Sequence, residues 1–139
     1  MKHLLYFSVF LLLFGCSSNP SEKTLPLLNG YWEIKKVTFP DGTTKEYKAS
    51  MTIDYIEIDN NKGFKKKMQP KFDGTYTTTN DTEYFSILNS DGALAMVYKN
   101  NLSEWKEQIK TISENSFSVL SEENVTYTYN RYQPINIQK

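Results

Sequence analysis

Few side chains in this sequence could carry distinctive chemistry. The chain has one cysteine, Cys16, and one histidine, His3, and both lie near its N terminus. A Ser-His-Asp triad and an imidazole pH switch both need a histidine, and a zinc site needs a group of Cys and His ligands. A disulfide framework needs at least two cysteines. Cys16 is therefore the residue whose chemistry has to be explained.

The charged residues have a simpler explanation than a catalytic or binding role. The lysines between Lys62 and Lys71 could contact anionic lipid headgroups or a polyanion, but a solvated strand face with lysines guarding an edge is the favoured interpretation. The acidic residues between Asp54 and Asp59 alternate in facing and are interpreted as surface charge. The 16 basic and 16 acidic side chains cancel. A chain without net positive charge lacks the field that attracts nucleic acids, so we expect no nucleic-acid partner.

The segment before Cys16 has the organisation of an export signal. A short cationic start is followed by an apolar run, Leu4 to Phe14, that is too short to span a bilayer as a helix. The tetrapeptide Leu13-Phe14-Gly15-Cys16 resembles the lipobox of bacterial lipoproteins. That resemblance implies that residues 1–15 are a signal peptide and that Cys16 becomes the acylated N terminus. The alternative is an ordinary secretory signal with a chance cysteine.

Acylation of Cys16 would hold the protein on a membrane without spanning it. At about 0.8 kcal/mol for each buried methylene, more than one acyl chain makes release negligible. In that family an aspartate directly after the acylated cysteine is a retention signal. Ser17 occupies that position here, which implies export to the outer membrane, with the domain on either the periplasmic or the outer face. Removal of the signal peptide also removes His3. We therefore predict a protein that is not an enzyme and that uses no metal or cofactor.

The remainder of the chain divides into a tether and one β domain. Residues 16–29 are polar and contain two prolines, which predicts a flexible membrane tether. In residues 30–139, runs of β-branched and aromatic residues are broken by turn residues about every ten positions, the spacing of an all-β meander, sandwich or barrel. Short connections favour a small antiparallel up-and-down β-barrel of eight or nine strands. The predicted strands cover 30–39, 51–59, 63–69, 74–79, 83–89, 93–99, 104–112, 116–121 and 124–132.

The first and last predicted strands carry a family resemblance. Gly30-Tyr31-Trp32 resembles the Gly-x-Trp signature of the lipocalins, in which the tryptophan closes one end of the barrel and an arginine from the last strand lies across its indole. Arg131 is the only arginine of the chain and lies in the last predicted strand. The resemblance implies a barrel-floor pair of Trp32 and Arg131, with Gly30 allowing close approach of the backbone. In a regular strand Trp32 and Val37 would face opposite sides of the sheet although both are apolar, which predicts a bulge near Lys35-Lys36.

An eight-stranded barrel either fills with side chains or holds one small ligand, and both outcomes stay open here. The candidates for lining a ligand cavity are Phe85, Met96, Trp105, Phe117, Tyr127 and Tyr129. One expected function is a lipid-anchored binding protein for a small apolar or amphipathic molecule. The other is a filled-barrel scaffold that acts through its surface on another envelope protein. The side chains predicted to face inward are Trp32, Ile34, Phe64, Met68, Phe85, Ile87, Leu94, Met96, Trp105, Ile109, Phe117, Val119, Val125, Tyr127 and Tyr129.

Overall fold

The computed structural model describes residues 19–134, in which a short 3-10 helix, Leu25–Leu28, precedes nine antiparallel strands. Successive strands pair with each other, except that β1 pairs with both β2 and β3, and β1 also pairs with β9. Eight strands therefore close into a barrel and β2 is an extra strand beside β1. The strands are β1 (Gly30–Thr38), β2 (Thr44–Glu46), β3 (Ile53–Asp59), β4 (Lys62–Pro70), β5 (Tyr76–Ser90), β6 (Ala93–Lys99), β7 (Glu104–Ile112), β8 (Ser116–Leu120) and β9 (Thr126–Arg131).

The prediction of an all-β up-and-down barrel is confirmed, and the tight turns show how the sequence produces it. Asn60, Asp91 and Asn124 have positive φ values of 55°, 51° and 61°. Asparagine and aspartate tolerate this left-handed backbone better than most residues. In the turn after β1, the Asp41 carboxylate accepts a hydrogen bond from the backbone N–H of Thr43 at 2.9 Å. These residues reverse the chain locally, so each strand from β4 to β9 lies beside its predecessor.

The bulge predicted in β1 is confirmed. The pairing of β1 with β9 shifts register between Ile34 and Lys36. Trp32 and Ile34 face the interior before the shift, and Val37 faces it after the shift and is buried. The extra residue in the bulge therefore lets the apolar residues on both sides of it face the same interior.

Strand β5 differs from the sequence prediction, which divided it into 74–79 and 83–89. It is one strand of 15 residues. Its pairing with β4 passes from Lys66↔Thr82 to Met68↔Thr78, so several β5 residues bulge out of the ladder. The polar Asn80-Asp81 pair falls between the two predicted strands, where the spacing predicts a turn. It instead lies in a bulge that bends the strand without reversing it.

The start of the folded region also differs from the prediction, because the tether does not extend to residue 29. Leu25 and Leu28 are 3% and 0% exposed and belong to the barrel core. The 3-10 helix that carries them covers one end of the barrel, where its leucines remove apolar surface from water. The flexible-tether prediction for residues 16–29 is therefore wrong for its last five residues.

Strand β4 has the opposite facing to the prediction. Phe64 and Met68 were expected inside, but Phe64 lies outside, 6.3 Å from the exposed ring of Tyr84. Gly63 is the inward residue, and a methyl group there would meet the Phe85 ring at 2.6 Å. The Phe85 ring thus occupies the space beside Gly63. Because side chains alternate along a strand, this register also sends the odd-numbered lysines of β4 into the barrel.

Candidate functional site: the mouth of the barrel

One end of the barrel is closed by contacts around Trp32, which is fully buried. The guanidinium carbon of Arg131 lies 4.0 Å from the centre of the Trp32 ring. Arg131 also donates hydrogen bonds to three backbone carbonyls, those of Glu114 at 2.9 Å, Asn29 at 2.6 Å and Leu27 at 2.7 Å. Together these contacts tie β9 to the 3-10 helix and to the β7–β8 turn. The contacts at this end of the barrel therefore hold the fold together, and we call this end the floor.

Gly30 permits this arrangement through its backbone and its lack of a side chain. Its φ of +125° lies in a region that side-chain-bearing residues rarely adopt. A methyl group at Gly30 would lie 2.5 Å from Nη1 of Arg131. The predicted barrel-floor pair, Trp32 and Arg131, and the neighbouring Gly30 therefore meet at one point of the structure.

Above this floor the barrel is filled by packed side chains. The Phe117 ring meets the Trp32 indole edge-on at 4.7 Å. Phe85, Met96 and Phe117 are buried in the same core cluster. Among residues 19–134 these three side chains pack into the core and line neither the hollows at the open end of the barrel nor the groove outside it, so the prediction that they line a ligand cavity gains no support from this packing. The lower half of the interior resembles an ordinary hydrophobic core.

The opposite end of the barrel contains three adjoining hollows of about 390, 210 and 260 Å³, which we call the mouth. Asp54 and Lys67 line both the first and the second hollow. Tyr127 and Tyr129 line both the second and the third, and Trp105 lines the third. Three of the six predicted cavity residues, Trp105, Tyr127 and Tyr129, therefore lie at the mouth.

The mouth carries a network of charged side chains that the sequence interpretation assigned to the surface. Asp54 is only 4% exposed, and its Oδ1 lies 2.7 Å from the Lys67 ammonium. That contact is an ion pair without the direction of a hydrogen bond, so Oδ1 has no aligned donor among the described residues. Lys65 is 15% exposed, lies 3.4 Å from Glu83 and stands 5.0 Å from the centre of the Tyr98 ring.

Burial changes the proton affinities of these groups. It raises the pKa of Glu107, and the nearby Lys65 ammonium only partly offsets this effect. Burial disfavours the charged form of Lys65, but the carboxylates of Glu107, Asp54 and Glu83 outweigh it, so the pKa of Lys65 lies above its ordinary value. Lys65 therefore remains cationic at neutral pH.

Sequence reasoning missed Asp54, Lys65 and Glu107 as mouth residues. A signal for Glu107 was present, because it alternates with Trp105 and Ile109 and so must share their inward face. Asp54 alternates in the same way with the buried Ile56 and Ile58. For Lys65 the alternation within β4 predicts an outward side chain. Its inward facing follows only from the pairing of β4 with the neighbouring strand.

A further hollow of about 480 Å³ lies outside the barrel and is called the outer groove. Its walls include Tyr76 and Tyr132, and the exposed side chains of Met51 and Phe72 flank it. Tyr76 stacks on the outward ring of Tyr31 at 4.6 Å. The bent β4–β5 hairpin thus folds over the outer face of β1.

Within residues 19–134, no helix has the length and apolarity needed to cross a membrane. The same part of the chain contains no cluster of three or more His, Cys, Asp or Glu side chains arranged to hold a metal ion. Cys16, the predicted acylation site, lies outside the described residues.

A closed eight-stranded meander, a Trp–Arg floor and a hollow mouth define a barrel of the lipocalin type. Residues 28–119 match the lipocalin-like domain family, and the chain belongs to that family. Its members are typically binding proteins rather than enzymes, and the fold is consistent with binding of a small ligand. No curated protein sequence matches the chain.

Three solved structures are similar to this chain at low sequence identity. A lipocalin-like protein from Bacteroides uniformis has 12% identity and a TM-score of 0.47, over 76% of this chain and 99% of its own. An uncharacterised protein from Bacteroides eggerthii has 11% identity and a TM-score of 0.48, over 76% and 99%. Lobster apocrustacyanin A1 has 14% identity and a TM-score of 0.44, over 89% and 75%.

Proposed function

We propose that this protein is a lipid-anchored protein of the bacterial outer membrane that binds a small amphipathic ligand in the mouth of its barrel. The observation that carries the binding proposal is the division of the interior into a packed floor and a hollow mouth. The floor is packed around Trp32, and the hollows above it combine aromatic walls with charged groups. An amphipathic molecule matches that combination better than a wholly apolar one, because the buried charges would lose water without gaining partners beside an apolar ligand.

Ligand binding is tested by native mass spectrometry of the purified protein after incubation with envelope lipid extract. We expect a small-molecule adduct on the wild-type protein. The Tyr129→Ala variant, altered at the mouth, should retain less adduct, whereas Tyr84→Ala, which removes a ring exposed on the outer wall, should retain the wild-type amount. A wild-type protein that remains bare in extract would contradict the proposed binding function.

The anchor proposal rests on the sequence resemblance around Cys16. Growth with an alkyne-labelled fatty acid should label the wild-type protein and leave Cys16→Ala unlabelled. The label should fractionate with the outer membrane. Equal labelling of both proteins, or a wild-type protein found wholly in the soluble fraction, would refute acylation at Cys16.

The outer groove favours the second candidate function, a scaffold that acts through its surface on another envelope protein. Phe72 is 92% exposed at the tip of the β4–β5 hairpin, and Met51 beside it is 87% exposed. Exposed apolar side chains around a concavity are typical of interaction sites. In-cell crosslinking from position 72 distinguishes the candidates, because a scaffold should give one discrete crosslinked partner that crosslinking from Tyr84 does not give.

A further inference from the structure

The mouth has a side notch that differs in chemistry from the rest of the interior. Strand β8 ends at Leu120, which pairs with Gln108 of β7, so the first residues of β7 have no partner on that side. The gap forms the hollow of about 260 Å³. Trp105, Glu107, Tyr127 and Tyr129 line this notch from within, and Glu122 and Glu123 of the β8–β9 turn line its outer edge.

The notch carries an excess of negative charge. Its lining includes three carboxylates, Glu107, Glu122 and Glu123, against one ammonium, Lys106. The charged groups that act on Glu107 from neighbouring strands are Lys65, Glu83, Asp54 and Lys67, so the deeper mouth does not supply a compensating excess of cations. Within residues 19–134, Glu107 has no cationic side chain within 4.0 Å and accepts no hydrogen bond.

The aromatic walls of the notch are oriented by stacking on neighbouring rings. Trp105 stacks on Tyr98 with ring centres 5.2 Å apart, which fixes its orientation beside Glu107. Among the described residues, the Tyr129 hydroxyl forms no hydrogen bond, although burial raises the pKa of Tyr129.

We propose that this notch binds a small organic ammonium ion, seated against Glu107 between the rings of Trp105, Tyr127 and Tyr129. The faces of aromatic rings attract cations, and a nearby carboxylate adds direct charge attraction in a region partly shielded from water. An ammonium group would add a cation in direct contact with Glu107, whereas Lys65 acts on that carboxylate from more than 4.0 Å away. This inference rests on the proposed binding function and names the chemical class of its ligand.

The experiment uses three probes of equal chain length, hexylammonium, hexanol and hexanoate, titrated into the purified protein by isothermal titration calorimetry. Hexylammonium should bind saturably and at least about 10-fold more tightly than hexanol, and added salt should weaken it. Trp105 emission should change as the site fills. Hexanoate should not bind at the notch.

Glu107→Gln should weaken hexylammonium binding by about 10-fold or more, since it removes the charge and keeps the shape of the side chain. Glu104→Gln is the matched control, because Glu104 lies three residues away on the same strand, is exposed and does not line the notch. It should bind like the wild type. Paired melting curves establish that both variants are folded.

Three outcomes separate this inference from the proposed function. If hexanoate binds at the mouth instead, the mouth binds ligand and the ammonium inference is overturned. If hexylammonium binds equally well to wild type and Glu107→Gln, the site lies elsewhere and the inference is again overturned. If none of the three probes binds and the protein remains bare in envelope extract, both the inference and the binding function fail.

Discussion

Replacing Arg131 with alanine tests the role of the closed end of the barrel. The change removes three charged N–H donations to the carbonyls of Glu114, Asn29 and Leu27, together with the stacking on Trp32. Each hydrogen bond contributes about 1 kcal/mol net, and the stacking contributes about 1 kcal/mol. Water replaces part of what is lost, because these carbonyls lie near the surface. We therefore expect the free energy of unfolding to fall by about 2–4 kcal/mol.

The assay is urea denaturation followed by circular dichroism and by tryptophan emission. Arg131→Lys should lose about half as much stability as Arg131→Ala, because one ammonium keeps the charge but cannot reach three carbonyls in different directions. Lys99→Ala, at an exposed strand end, is the control for loss of a surface cation. A free energy of unfolding for Arg131→Ala within about 0.5 kcal/mol of the Lys99→Ala value would refute the structural role assigned to this residue.

Three further substitutions test other parts of the structure. Leu28→Ala should cost about 2–5 kcal/mol in urea denaturation, whereas Leu27→Ala, in the same helix but 36% exposed, should cost far less; equal losses would mean that the helix does not cover the floor. Gly63→Ala should lower the free energy of unfolding by about 1–3 kcal/mol because its methyl would meet the backbone carbonyl oxygen of Glu57 and the Phe85 ring, and an unchanged free energy in urea denaturation would contradict the register of β4. Glu107→Gln should raise the melting temperature at neutral pH. The folded pKa of Glu107 lies above its unfolded value of about 4.5, so ionisation costs stability as pH rises above that value, and the difference should disappear near pH 4. A pH-independent difference would show that the charge of Glu107 is not its cause.

The architecture could be predicted because its signals are local. Turn residues such as Asn60 and Asp91 act within a few positions, and the phase change between Trp32 and Val37 shows the bulge within one strand. The Gly30, Trp32 and Arg131 combination links two distant segments, but it does so through the single arginine and one of the two tryptophans of the chain.

The charged mouth could not be predicted because alternation identifies two faces without saying which is buried. In β4, the apolar Phe64 alternates with lysines, and burial of the apolar face is the default expectation. In the structure Gly63 faces inward, and the ring of its pairing partner Phe85 occupies the space beside it. That contact joins two strands and is invisible in either strand alone. The helix at Leu25–Leu28 was missed for a related reason, since a short segment with proline resembles a linker until its leucines meet the floor.

The entry of the chain through the floor has a consequence for how the domain would stand on a bilayer. Glu22 is held to Asn89, near the β5–β6 turn at that end, by a contact of 3.2 Å. Even fully extended, the residues from Cys16 to Leu25 reach only about 30 Å. With the acyl anchor at Cys16, the floor would lie next to the headgroups and the opening would point away from them. In that orientation the proposed ligand would enter the mouth from the aqueous compartment or from another molecule. It would not pass directly from the leaflet that holds the anchor.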